Sequence, residues 1–231
     1  MSDAAQHLRC NEVFKRLTAA QLRQVATGSK VRPLQRGQPI YRPGDKTDSC
    51  YVLVFGRAKI FDLTRTGKES ILAFIEPGEF FGERALLGLS EHEHYVETIE
   101  PSTVVVIARK QLLRLMQDHA DVSVRVAKTI GRRLLQFERR LRGLLFLSNR
   151  ERLASVLLDL ARQSGVATND GISLRIRLSH HDLANIIGCS RETVSVEMAK
   201  LRSDGLIDSG RQRIVLTQPR RLKKLVSRNG I

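Results

Sequence analysis

Arg191 and Glu192 are the side chains of this 231-residue sequence best equipped for specific recognition. A guanidinium presents a rigid fork of donors that matches guanine O6 and N7, and a carboxylate can accept from cytosine N4. Both follow Ser190, a residue type that caps helices, and precede Val194, Met198 and Leu201 at helical spacing. They therefore project outward from a first turn whose other face is apolar. Ser179, His180, Ser190, Ser195, Val196 and Lys200 are the further candidates for nucleic-acid contact on this segment, and Arg211 and Arg213 are the candidates beyond it.

A second constellation is Gly82-Glu83-Arg84-Ala85 with Glu91-His92-Glu93-His94-Tyr95. Two imidazoles on one strand edge plus Glu97 could bind a metal, as in jelly-roll cupin enzymes. The spacing is loose and His119 belongs to another element, so His92 and His94 read as solvated loop histidines, no metal site is assigned and no enzyme is expected. Neither a nucleophilic triad nor a Gly-rich phosphate loop nor a metalloprotease motif is visible. Cys10, Cys50 and Cys189 are odd in number and far apart, which argues against a disulfide framework or a four-thiolate cluster and for small buried side chains.

The elements that must position these residues follow from periodicity. Ser179 caps a helix with Leu183, Ala184, Ile186 and Ile187 on one face, Gly188 supplies a turn, and Ser190 caps the next helix. Gly205-Leu206-Ile207 and Arg211-Gln212-Arg213-Ile214-Val215-Leu216 read as a basic β-hairpin wing, suited to phosphate. Upstream, residues 150–163 are helical and end at Gly165, and Ile172, Leu174, Ile176 and Leu178 alternate as a strand. Ala127, Ile130, Leu134, Phe137, Leu141 and Leu144 are spaced by three and four, the seam of a coiled coil, which predicts a homodimer. Between residues 31 and 107 short apolar stretches alternate with turn formers, as in a β-sandwich or barrel.

Charge locates the partner. Lys and Arg number 39 against 24 acidic residues, and residues 111–231 hold 23 of the basic and 11 of the acidic ones, so a polyanion is expected there. Aromatics are only 5% of the chain, too few to provide a stacking platform for single strands. No apolar run approaches the roughly 18 residues of a membrane span and no signal-peptide pattern opens the sequence, so no membrane partner and a cytoplasmic location are expected.

Ile187-Gly188-Cys189-Ser190-Arg191-Glu192-Thr193-Val194 resembles the recognition segment of the cyclic-AMP-receptor/FNR family. Arg42-Pro43-Gly44-Asp45, Gly56, Pro77-Gly78-Glu79-Phe80-Phe81-Gly82-Glu83 and the heptad helix are similar to that family's barrel and dimerisation helix in the same order. The resemblance implies an α+β chain: a jelly-roll sensing barrel with N-terminal helices over residues 1–110, a dimerisation helix over 111–148, and a winged helix-turn-helix over 149–231. It also implies a transcription regulator that binds two-fold-related half-sites of double-stranded DNA as a homodimer, is reoriented by a small-molecule effector, and meets RNA polymerase. Two departures stand out. Val196 lies where the family carries a second recognition arginine, and His94-Tyr95 lie where a cyclic-nucleotide site carries Arg-Ser. Gly82-Glu83 match the ribose-binding half, Ala85 follows in the same cassette, and Arg84 is the substitute cation on offer. Residues 170–207 also resemble the cyanobacterial nitrogen-control regulator, and Arg133-Leu134-Leu135-Gln136-Phe137-Glu138 resembles the central-helix segment that holds its effector, which implies an effector role for Arg133 and Glu138. A surface pair flanking the seam is the simpler reading of those two residues. The effector itself is left unknown, and an effector-independent DNA-binding dimer is the alternative.

Overall fold

The computed structural model describes residues 3–210 and 213–227. Two compact units emerge, residues 1–67 with 71–135, and residues 68–70 with 136–231.

The first unit opens with α1 (Asp3–Leu8) and α2 (Ala19–Ala26), the latter started by a capping box between Thr18 and Gln21. Eight strands follow: β1 (Lys30–Leu34), β2 (Pro39–Tyr41), β3 (Ser49–Phe55), β4 (Ala58–Leu63), β5 (Glu69–Ile75), β6 (Phe80–Phe81), β7 (Tyr95–Thr98) and β8 (Ser102–Ala108). They form two four-stranded sheets, ordered β1-β8-β3-β6 and β2-β7-β4-β5. Leu53, Phe81 and Val104 from one sheet and Tyr41, Ile60 and Val96 from the other share a single core, as in a jelly roll. The β3–β8 pair is buried on both faces. Tyr51 and Leu53 turn to the inter-sheet core, while Cys50, Val52, Val105 and Ile107 turn to a second core with α1, α2 and α3 (Arg109–Asp118). Period-two alternation thus survives in a strand that has no polar face.

The helix α4 (Ala120–Phe146) begins by packing on this unit. Val122 and Val126 are buried in the second core and Ile130 lies against it. Farther along, the seam residues Leu134, Phe137, Leu141 and Leu144 are exposed in the single chain, as are Leu135, Leu145 and Phe146, which lie off the expected stripe.

The second unit continues with α5 (Asn149–Ser164), opened by a capping box between Ser148 and Glu151. Strands β9 (Gly165–Thr168), β10 (Gly171–Leu174), β11 (Asp208–Gly210) and β12 (Arg213–Leu216) make a sheet ordered β11-β12-β10-β9. Between them lie α6 (His180–Ile187) and α7 (Arg191–Ser203), and α8 (Pro219–Ser227) closes the unit. Two sequence expectations are corrected here, and one strand was not expected. The strand expected through Leu178 ends at Leu174, because the pairing with β9 and β12 runs no farther; Ile176 and Leu178 remain buried as loop anchors. Gly165 ends α5 but also begins β9, an unexpected strand, and a Cβ there would lie 2.6 Å from the Ile172 side chain. The first wing strand is Asp208–Gly210, not Gly205-Leu206-Ile207, because Leu206 and Ile207 are buried as anchors beneath the hairpin.

Candidate nucleic-acid interface and sensor site

The helix pair α6–α7 is set by local chemistry. Ser179 Oγ accepts from the Asp182 amide at 3.1 Å, and the Ser179 amide donates to Asp182 Oδ2 at 2.8 Å. Gly188, at φ 72°, takes the left-handed conformation that stops α6, and Ser190 Oγ then accepts from the Thr193 amide at 3.1 Å to start α7. Val194, Met198 and Leu201 are buried together with Leu183, Ala184 and Ile187. That packing leaves Arg191, Glu192, Val196 and Lys200 exposed.

Hydrogen bonds from its own backbone N–H and from the Ser190 hydroxyl hold the Glu192 carboxyl below the usual range, with Arg191 adding to the effect. Glu192 is therefore an acceptor at neutral pH, the state that can meet a cytosine amino group. His180 Nδ1 lies 2.8 Å from Ser195 Oγ, and that hydroxyl donates to the Arg191 carbonyl at 3.0 Å, so these two candidates form one polar group. Lys200 is paired with Glu197 at 2.8 Å. A trough of about 460 Å³ runs beside α7, lined by His180, Ser195 and Met198 together with Arg202, Ser203 and Ser209. These last three were not singled out from sequence; Arg202 could have been, since it follows Val194, Met198 and Leu201 on the same helix and carries a charge. Arg213 is exposed on β12 and lies 3.8 Å from Asp170, while Arg211 lies outside the described residues.

In the first unit, Gly82 sits at φ 79°, and a Cβ there would come within 2.7 Å of the Tyr51 ring, so this position requires glycine. A single 3-10 turn, Glu83–Leu87, follows. Ala85 is buried beneath it, and Glu83 meets Arg133 of α4: Arg133 Nη1 donates to both carboxylate oxygens at 2.7 Å, and Nη2 donates to the Phe80 carbonyl at 3.0 Å. The two side chains are only 15% and 20% exposed. This corrects the reading of Arg133 as half of a surface pair with Glu138. A residue on a helix face that packs against a strand end cannot stay solvated, whereas Glu138, farther along, is exposed. Burial raises the nearby Glu79 carboxyl above the usual range, and the Arg133 charge opposes that shift.

The remaining sensor candidates are each engaged by another side chain. Arg84 pairs with Glu93 at 2.8 Å, and its Nε is buried without a hydrogen-bond partner among the described residues. His94 Nδ1 lies 2.8 Å from Asp62 on β4, and Tyr95 stacks on Phe61 at 5.1 Å, so the residues standing in for Arg-Ser are engaged with the neighbouring strand. His92 is not the solvated histidine expected from its loop. It is 2% exposed and stacked on Tyr41 at 3.6 Å, with neither ring nitrogen hydrogen-bonded among the described residues. Burial lowers its pKa and keeps it neutral. Among the described residues no group of three or more His, Cys, Asp or Glu could hold a metal ion, and no helix is long and apolar enough to cross a membrane.

Comparison with known proteins matches residues 31–119 to the cyclic nucleotide-binding domain and residues 151–225 to the Crp-like helix-turn-helix domain. The cyclic AMP receptor protein of Thermus thermophilus is 32% identical over 175 residues, covering 76% of this chain and 78% of that protein. The global nitrogen regulator of a Nostoc species is 28% identical over 202 residues, covering 85% and 91%. Among solved structures, FixK2 from Bradyrhizobium japonicum superposes with a TM-score of 0.75 at 25% identity, covering 85% of this chain and 96% of that one.

Proposed function

The chain belongs to the Crp/Fnr family of transcription regulators, and from that premise we propose that α7 reads its operator through Arg191, Glu192 and Val196. It is a DNA-binding regulator with a cyclic-nucleotide-binding-like domain, not an enzyme. The observation that carries the proposal is the exposure of Arg191 and Glu192 at the capped start of α7, where a recognition helix meets base edges. The trough with His180, Ser195 and Arg202, and the wing with Arg213, take the phosphate ridge beside that groove. Arg211 and Ser179 are assigned to the same phosphate-binding set, and Lys200 joins it by exchanging Glu197 for the backbone.

The regulator works in the cytoplasm as a homodimer through the exposed apolar stripe of α4, on two-fold-related half-sites, with RNA polymerase as its downstream partner. Its work is divided among a sensing part (residues 1–110), a dimerising part (111–148) and a DNA-binding part (149–231). The sensor site is Gly82, Glu83, Arg84, Ala85 and Arg133, flanked by His94 and Tyr95. Cyclic AMP is not its strong effector, because His94, engaged with Asp62, stands where an arginine would hold a cyclic phosphate. Selection of bound sequences from a random pool tests the DNA reading. Arg191→Ala should lose guanine preference at one position of each half-site, while Arg213→Ala should weaken binding without changing the consensus. An unchanged consensus for Arg191→Ala refutes the assignment.

A further inference from the structure

At the opposite end of α7 from Arg191, a hollow of about 430 Å³ is lined by Arg150, Asp204, Leu206, Arg221, Lys224 and Leu225. Three elements build it. Arg150 is in the first turn of α5, Asp204 caps the C-terminus of α7, and Arg221 and Lys224 lie one turn apart on α8, so they share a face. Leu222 of α8 is buried, which anchors this face in place. The lining carries three cations against one carboxylate, and that carboxylate is already paired with Arg150. Arg150 Nε is buried without a hydrogen-bond partner, and neither Arg221 nor Lys224 has an ion pair among the described residues. Helix α8 contains no acidic residue to neutralise them.

We propose that this hollow is a second phosphate-binding site, separate from the base-reading end of α7. A concave site that gathers a planar guanidinium fork and two further cations on anchored helices suits a phosphate group. Its distance from the base-reading end bears on the source. Helix α7 runs 13 residues from Arg191 to Ser203, which is about 20 Å at 1.5 Å per residue. The hollow is thus displaced by about that length along α7 from the base-reading end, and it can receive either backbone phosphate flanking the half-site or a free phosphate compound. The first source rests on the DNA-binding reading above; the second does not.

The test uses the full-length protein and the double variant Arg221→Gln/Lys224→Gln, with Arg220→Gln as a control on the same helix. Binding is measured to a duplex trimmed to the selected operator, to the same operator extended by about one helical turn at each end, and, by calorimetry, to inorganic pyrophosphate. If flanking DNA is the source, the double variant binds the extended duplex about 10-fold more weakly and lowers the slope of log affinity against log salt by about 1.8, the value for two lost phosphate contacts. The trimmed duplex is then bound equally by both proteins. If a free phosphate compound is the source, pyrophosphate gives heat with the parent and none with the double variant, while both duplexes are bound equally. Equality of parent, control and double variant in every arm overturns the site. A parent that selects no consensus at all would instead overturn the DNA reading and leave the pyrophosphate arm standing.

Discussion

Replacing Arg133 by Gln removes the cation that faces Glu83 and acts on Glu79 in the first unit, and the cost should depend on pH in a direction the structure fixes. Breaking a fully buried ion pair by deleting one partner costs about 3–5 kcal/mol. Here Arg133 and Glu83 keep 15% and 20% of their side-chain surface in water, so screening brings the expected loss to about 1–3 kcal/mol near neutral pH. Glu79 sets the pH dependence. Its carboxyl is raised by burial, so the folded protein binds its proton more tightly than the unfolded chain does. The energetic cost of that burial is absent below the unfolded value of about 4.3 and fully present once pH has passed the folded value. Because Arg133 opposes the shift, its removal raises the folded value further and enlarges the cost on the alkaline side. Arg133→Gln should therefore fall further short of the parent at pH 7.5 than at pH 4.5. Urea unfolding followed by circular dichroism at fixed protein concentration suits a chain without tryptophan. Arg133→Lys should recover only part of the loss, since one ammonium cannot span both Glu83 oxygens and the Phe80 carbonyl. A deficit that is equal at the two pH values, or absent at both, refutes the assigned role of the pair.

Leu134→Glu with Leu141→Glu should give a monomer in sedimentation, because two leucines that are 57% and 59% exposed in the single chain are each worth about 1.5–3 kcal/mol on full burial; a persistent dimer would move the seam to Leu135 and Leu145. Val196→Arg, at a position 52% exposed on α7, should sharpen selection toward guanine at one base pair by about 1–3 kcal/mol, and unchanged selection there would mean that residue 196 does not face the bases. Calorimetry with cyclic AMP should show weak or no heat. His94→Arg with Tyr95→Ser should raise the affinity substantially only when Arg133→Gln also frees Glu83, whereas low-micromolar binding by the parent contradicts this account of the site.

The parts of the fold that were legible in the sequence are those governed by neighbours along the chain. Caps at Ser179 and Ser190, the glycine stop at 188 and the apolar spacing of α6 and α7 all act within a few residues, so residue type and spacing suffice to place the helices. The sheet-rich part of the first unit was legible for the same reason, through turn formers between short β-branched runs. Where a strand stops depends instead on its partner. The alternation through Leu178 continued past the last paired residue of β10, and β9 is too short and too exposed to leave a period of its own. The heptad of α4 gives only part of what that helix packs against. One seam was read along the helix, yet Val122 and Val126, off that seam, face the chain's own core while Leu134 onward stays open, because the protein surface opposite the helix changes along its length.

Site residues divide along the same line. Arg191 and Glu192 could be selected because their presentation is a local property of a capped first turn. Glu83 and Arg133 were each selected too, but by separate likenesses and for separate ligands. Nothing in either segment indicates that residues 50 positions apart satisfy one another. That pairing changes the setting of both, since part of the acceptor capacity of Glu83 is already taken by Arg133 and the guanidinium charge is partly offset before any anionic ligand arrives. An effector for this site must therefore interact more strongly with one of the two partners than they do with each other. A regulator without an effector would keep the pair closed in every state. The equilibrium a ligand can shift is bounded by its differential affinity for the open and closed pair.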